Sequence, residues 1–166
     1  MANKMLRPFV FLLVFLNFCM YAIVACIGGW AIHIAIDRGF IIGPELRLPA
    51  HFTPIFFPIG NAATGFFVMF ALIAGVVGAA SALAGLNHVR FWNYDSLQPA
   101  ASSGIIAWGL TLIPVGLACR EINLGGRNAR LRTMEAFLII LSAMQLVYVL
   151  AIRAASPAHQ AIIPRR

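Results

Sequence analysis

The chain has 166 residues, of which 61% are hydrophobic and 10% charged, and its mean hydropathy is +0.90. A soluble domain of this length could not cover its core with so few polar side chains, so the composition predicts one integral membrane domain over residues 1–166. The net charge of +7 comes from arginines that flank apolar segments, where they anchor helices and meet membrane lipids, and it therefore does not indicate a nucleic-acid partner.

Four stretches that are almost free of charge are long enough to cross a bilayer. A helix that crosses about 30 Å of hydrocarbon at about 1.5 Å per residue needs roughly 20 residues. The qualifying stretches are residues 8–36, 61–86, 101–119 and 134–152. The predicted fold is all-α, a bundle of four transmembrane helices, followed by a flexible C-terminal tail over residues 153–166.

The first stretch follows Lys4 and Arg7, as the core of a cleaved signal peptide would. Its apolar part is much longer than the roughly 7 to 15 residues of a signal core. Gly28, Gly29 and Trp30 are better explained as a packing patch followed by an interfacial aromatic residue. We therefore interpret the segment as a retained span.

The segment between the first two spans is rich in proline and phenylalanine and reads "LPAHFTPIFFPIG", residues 48–60. Prolines break a helix, whereas aromatic rings are favoured at the headgroup level of the bilayer. We predict an interfacial brace or a shallow lid over the bundle. A cover that only shields helix ends explains the pattern equally well. Asn61 is expected to cap the second helix.

The second span carries two ridges of small side chains with a spacing of four residues. The ridges are Ala71, Gly75 and Ala79, and Ala74, Gly78 and Ala82. Small residues let two helix backbones approach closely, so we expect this helix to lie at the centre of the bundle against a helix of the same chain. A second copy as the partner, and hence a homo-oligomer, stays open.

Several polar residues lie inside the predicted spans. They are Asn17, Thr64, Ser81, Thr111, Ser142 and Gln145. Such residues more often bridge helices by hydrogen bonds than line a route, and we expect bridging here. Pro114 is expected to kink the third span or to leave a backbone carbonyl without its partner.

The segment between the last two spans, "REINLGGRNARLRTMEAF", carries most of the charged chemistry. The spacing places Arg127 and Arg130 on one helix face and Arg132 within reach of Glu135, which predicts a cluster of ion pairs at the membrane surface. The cluster could simply fix the hairpin. A guanidinium group also suits a carboxylate, so a binding site for an anionic ligand is the more specific interpretation.

With four spans, the first and third connections face the same compartment. The candidate ligand-binding residues on that side are His51, Arg120, Arg127, Arg130 and Glu135. His51 titrates in the range over which external pH varies and is expected to modulate capture of an anion. Lysine and arginine divide equally between the two sides, so we assign orientation from the first span and place both termini in the cytoplasm.

The sequence contains no recognisable cofactor site, metal site or catalytic site. Cys19, Cys26 and Cys119 are odd in number and lack metal-ligand spacing, and the histidines are scattered. Lys4 is the only lysine, so the chain cannot form a phosphate-binding loop, and it has no Gly-x-Ser-x-Gly nucleophile motif. We expect a protein without enzymatic activity.

The sequence contains two long motifs, "GGWAIHIAIDRGFIIGPELRLPAHFTPIFFPIGNAATGFFVMFALIAGVVGAASALAGLNHVRFWNYDS" and "IAWGLTLIPVGLACREINLGGRNARLRTMEAFLIILSAMQLVYVLAI". In these motifs, and over about residues 13–152, the chain resembles the abscisic-acid-induced wheat plasma membrane protein-like family of plants. The resemblance implies a four-span plasma membrane protein linked to abscisic acid, dehydration or cold stress, and seed maturation and dormancy. It also implies import of abscisic acid by at least one member, but it carries over no binding residues.

The function expected from this resemblance is facilitated uptake of abscisic acid, a small apolar carboxylic acid, across the plasma membrane. The alternative is a tetraspan scaffold that transports nothing and stabilises the membrane or its partners during drying.

Overall fold

The computed structural model describes residues 2–39, 62–91, 94–121 and 129–160. These residues form four helices and, within the described part of the chain, no strand. The helices are α1 (Ala2–Gly39), α2 (Ala62–Phe91), α3 (Tyr94–Glu121) and α4 (Ala129–Gln160). Each helix contains a segment long and apolar enough to span a membrane. The predicted all-α fold with four transmembrane helices is confirmed.

The helices are longer than the spans predicted from charge-free runs. The helix α1 begins at Ala2, and α4 continues to Gln160, beyond the predicted end of the last span at Ile152. A charge-free run marks the part that lies in hydrocarbon, whereas a helix can continue into the headgroup level, where arginine and lysine are tolerated. The flexibility expected of residues 153–166 stays a prediction.

The four helices form a ring in which each packs against two neighbours. The helix α1 lies between α2 and α4, and α3 contacts the same two helices from the opposite side. Along the α1–α2 interface, Gly28 lies against Leu72 whereas Val14 lies close to Gly85, so the two helices are antiparallel. Neighbouring helices therefore alternate in direction around the ring.

This alternation gives the bundle two distinct ends. Near the end of α1, Trp30 contacts Arg130 near the start of α4. The α1–α2 and α3–α4 connections consequently emerge at one end, which we name the hairpin end. The start of α1 and the α2–α3 connection lie at the opposite, N-terminal end, where Arg7 donates a hydrogen bond to the carbonyl of Arg90. The connections themselves, including residues 48–60 and Asn61, lie outside the described residues.

The exterior of the bundle is apolar and the interior contains the polar side chains of the spans. On α1, Phe9, Leu12 and Phe15 are about half exposed, while Val10 and Val14 are buried. Large exposed hydrophobic residues occur on all four helices. A soluble surface rarely carries such extensive apolar area, whereas lipid chains solvate it, so this surface faces the bilayer.

The small residues of α2 allow a close contact with α1. A Cβ atom built on Gly75 would lie 2.9 Å from the backbone nitrogen of Ala25, and one on Gly78 would overlap the ring of Tyr21. Ala71 is fully buried and Ala79 is partly buried in the same core. The partner of this surface is α1 of the same chain.

The helix α3 continues through Pro114 without ending.

Candidate functional site

A tryptophan and an arginine form a cation–π contact at the hairpin end. The guanidinium carbon of Arg130 lies 4.1 Å from the centroid of the Trp30 ring. Trp30 packs against the apolar core, while Arg130 is exposed. Such a cation–π contact is worth about 0.5–1 kcal/mol at an exposed site. The contact holds Arg130 against the indole while its side chain stays exposed, so it is compatible with binding an anion.

Other charged residues give the hairpin end a predominantly cationic surface. Arg120 is exposed in the last turn of α3, where a cation interacts favourably with the helix dipole, and Arg132 is exposed near the start of α4. His33 and Asp37 lie 3.3 Å apart on α1, and both side chains are well exposed. An exposed pair of this kind contributes little to stability.

Glu135 lies beneath this surface and is only 4% exposed. It has an interaction partner within the structure, so its carboxyl group is not isolated. A buried carboxyl group in a membrane-spanning helix is costly and usually marks an interhelical contact or a functional position. Glu135 therefore differs in environment from the exposed Arg132, and the predicted ion pair between them stays a prediction.

The hairpin end includes three of the five candidate ligand-binding residues. Arg120 and Arg130 are exposed at this end, and Glu135 is buried within it. His51 and Arg127 lie outside the described residues, so their participation stays a prediction. Trp30 was expected only to be an interfacial aromatic residue. Its contact with Arg130 joins α1 to α4, and sequence spacing within one helix cannot reveal a contact between two helices.

A layer of polar side chains crosses the interior near the middle of the spans. The side-chain amide of Asn17 donates to the Gln145 carbonyl oxygen at 2.9 Å, and the Gln145 amide donates to the backbone carbonyl of Gly104 at 3.2 Å. These bonds join α1, α4 and α3. Tyr21 and Thr111 join α1 to α3 through hydroxyl groups 2.9 Å apart. We refer to these five residues as the central polar layer.

The central polar layer confirms the expected bridging role for Asn17, Thr111 and Gln145. Ser142 bridges differently, because its backbone carbonyl accepts a hydrogen bond from the Trp108 indole at 3.0 Å while its hydroxyl donates to Ile139 on its own helix. The aromatic partners Tyr21 and Trp108 were missed. The hydroxyl of Tyr21 and the indole N–H of Trp108 could have indicated such contacts from the sequence. A buried tyrosine hydroxyl or indole N–H usually has a hydrogen-bond partner.

Three buried polar atoms beside this layer have no hydrogen-bond partner among the described residues. They are the side-chain oxygen of Asn17, the hydroxyl of Ser81 and the hydroxyl of Tyr148. The Tyr148 hydroxyl lies so close to Gly85 that no Cβ would fit there. Buried polar groups normally bind a protein group, an ordered water or a ligand, so this region is suited to receive a polar atom.

No metal centre is formed by the residues that the structure describes, because they contain no group of three His, Cys, Asp or Glu side chains that could hold an ion. The three cysteines are free thiols, of which Cys26 and Cys119 are exposed. The arrangement offers cation–anion contacts at the hairpin end and hydrogen bonding in the interior.

Comparison with known proteins gives one family and one strong relative. The model of the AWPM-19-like family matches residues 15–155. A rice protein, "Membrane protein PM19L" from Oryza sativa subsp. japonica, is 44% identical over 144 residues, which cover 86% of this chain and 76% of the relative. No solved structure shows significant similarity to the chain. The family resemblance seen in the sequence motifs is confirmed.

Proposed function

Because the chain belongs to the AWPM-19-like family of membrane proteins, we propose that it facilitates uptake of abscisic acid across the plasma membrane. The proposal takes its ligand from the family resemblance in the long sequence motifs. The neutral acid dissolves in lipid, whereas its carboxylate is strongly disfavoured there. A carrier is therefore needed most where the ligand is ionised. The links to dehydration stress and seed dormancy belong to the same proposal.

The observation that carries the proposal is the Trp30–Arg130 pair at the hairpin end. Arg130 has a further interaction within the protein, and it also places a guanidinium group, which suits a carboxylate, beside the apolar indole of Trp30. Arg120 adds a second exposed cation at the same end. A small apolar carboxylic acid needs both features, a cation for the carboxylate and an apolar contact for its carbon skeleton.

The central polar layer supports the proposal at a greater depth. Side chains from α1, α3 and α4 form its hydrogen bonds, and the hydroxyl of Ser81 on α2 lies buried without a partner among the described residues. An acid that enters from the hairpin end would exchange hydrogen bonds with these groups instead of crossing a uniformly apolar interior. With both termini in the cytoplasm, the hairpin end faces outward and receives the external ligand.

The experiment is uptake of labelled abscisic acid by proteoliposomes that contain the wild type or single variants. We expect Arg130→Gln and Arg120→Gln each to lower the initial rate of saturable uptake, with Arg130→Gln reducing it about tenfold because a charge-assisted hydrogen bond is worth roughly 1.5 kcal/mol or more. The matched control is Arg153→Gln, an exposed arginine at the N-terminal end of the bundle. Rates are normalised to inserted protein.

Wild-type flux in both hairpin-end variants would remove this surface as a ligand site. Loss of insertion in those variants, with normal insertion of Arg153→Gln, would assign the arginines to anchoring the hairpin instead.

A non-transporting scaffold is the second candidate, and the close packing of α1 against α2 favours it. Gly75 lies against the backbone of α1 and Gly78 lies against the Tyr21 ring, and such close packing suits a rigid bundle better than one that opens. A scaffold predicts no abscisic acid flux in proteoliposomes, so the same experiment separates the two functions.

A further inference from the structure

A groove opens between α1 and α2 at the N-terminal end of the bundle, opposite the Trp30–Arg130 pair. It has a volume of about 310 Å³ and is lined by Arg7, Pro8, Phe11, Val89 and Arg90. Its lining combines two cationic side chains with three apolar ones, and none of them belongs to the candidate ligand site.

The polar part of the groove is held in place by a contact between the two helices. The Arg7 guanidinium donates a hydrogen bond to the backbone carbonyl of Arg90, in the last turn of α2. The last carbonyls of a helix lack intrahelical partners, so Arg7 satisfies one of them. The contact holds the Arg7 guanidinium at the end of α2, in the same groove as the exposed side chain of Arg90.

The acidic side chains that the structure describes are Asp37 on α1 and Glu135 on α4, and both lie toward the hairpin end. Neither of these two described carboxyl groups pairs with Arg7 or Arg90. Two neighbouring guanidinium groups repel each other, and an anion placed between them relieves the repulsion while accepting several hydrogen bonds. A phosphate group matches both requirements.

The apolar part of the groove continues into the lipid-facing surface. Val89 is fully buried and forms the floor, while Phe11 is 47% exposed. Phe15, one turn further along α1, is 48% exposed on the same side of the helix. The candidate membrane-spanning segment of α1 begins at Leu6, which is consistent with Arg7 and Pro8 at the headgroup level and Phe11 and Phe15 leading into hydrocarbon.

We propose that this groove is a specific binding site for an anionic phospholipid. The phosphate lies between Arg7 and Arg90, and an acyl chain follows Pro8, Phe11 and Phe15 along α1. A free phosphate ion would use the two arginines alone, whereas a phospholipid uses the whole lining. Anionic phospholipids are concentrated in the cytoplasmic leaflet, so occupancy of the groove also favours the orientation with the N-terminal end in the cytoplasm.

The test is native mass spectrometry of the purified full chain released from micelles that contain phosphatidylserine and phosphatidylcholine in equal amounts. We expect the wild type to retain one phosphatidylserine in preference to phosphatidylcholine. Arg90→Gln should weaken that retention about tenfold. It is the preferred variant because the Arg90 backbone carbonyl, which receives the Arg7 hydrogen bond, is unchanged. The control is Arg153→Gln, which removes an exposed cation at the same end but outside the groove.

A second comparison separates a lipid from a free anion. The thermal midpoint of the detergent-solubilised wild type should rise with added phosphatidylserine and not with inorganic phosphate, and Phe11→Ala should reduce the rise. Equal retention of phosphatidylserine by the wild type and Arg90→Gln would overturn the proposal. So would an equal rise with inorganic phosphate, which would identify a simple anion site, or equal losses in Arg90→Gln and Arg153→Gln, which would indicate only nonspecific attraction.

Discussion

At the scale of single residues, glycine positions decide how closely the helices approach. Gly78 faces the ring of Tyr21, which in turn reaches Thr111 across the bundle. A side chain at position 78 would therefore displace both the α1–α2 contact and one hydrogen bond of the central polar layer. Gly29, by contrast, is exposed, and a Cβ there would meet nothing within 4 Å.

Substitution by leucine should lower the stability of the protein at Gly78 and leave it almost unchanged at Gly29. We expect Gly78→Leu to destabilise the detergent-solubilised protein by at least about 1–3 kcal/mol, because a bulky side chain must force α1 and α2 apart. Gly29→Leu should leave the thermal midpoint nearly unchanged, since its side chain enters lipid. Circular dichroism melting of both variants measures the difference. Equal midpoints for Gly78→Leu and the wild type would show that α2 does not pack on α1 through this surface.

At the scale of helices, the alternation of direction places both long connections at one end. The contact between Trp30 near the end of α1 and Arg130 near the start of α4 requires it. The number of spans could be predicted from sequence because charge-free length is set by bilayer thickness. The partner of each helix face could not be predicted. The Trp30–Arg130 contact and the Asn17–Gln145 hydrogen bond both join α1 to α4, which are far apart in the chain.

Labelling of single cysteines tests this arrangement. In a protein whose Cys19, Cys26 and Cys119 are replaced by alanine, cysteines at Glu45 and Asn128 lie in the α1–α2 and α3–α4 connections respectively. A membrane-impermeant maleimide should label both from the same side of sealed vesicles. Labelling of the two positions from opposite sides would remove one span or reverse one hairpin.

At the scale of the whole molecule, the bundle combines an apolar exterior with a polar layer inside and a different charged surface at each end. Arg120 and Arg130 were recognised in the sequence because arginines cluster in the third connection. The groove at Arg7 and Arg90 was not recognised in the sequence. These two residues are distant in the chain, and each resembles an ordinary arginine that anchors the end of a membrane-spanning helix. Glu135 was recognised as charged, but its burial depends on how α4 packs in the bundle.

We propose that the chain carries abscisic acid where the acid cannot cross lipid unaided. A carboxylic acid with an ordinary pKa near 4.3 loses its neutral form as pH rises, so passive entry into protein-free liposomes falls steeply between about pH 5 and about pH 7. The most direct measurement is initial uptake over this range by proteoliposomes and by matched protein-free liposomes. We expect a saturable difference that becomes a larger share of total uptake as pH rises. Identical uptake by both kinds of liposome at every pH would contradict it and leave the scaffold as the function.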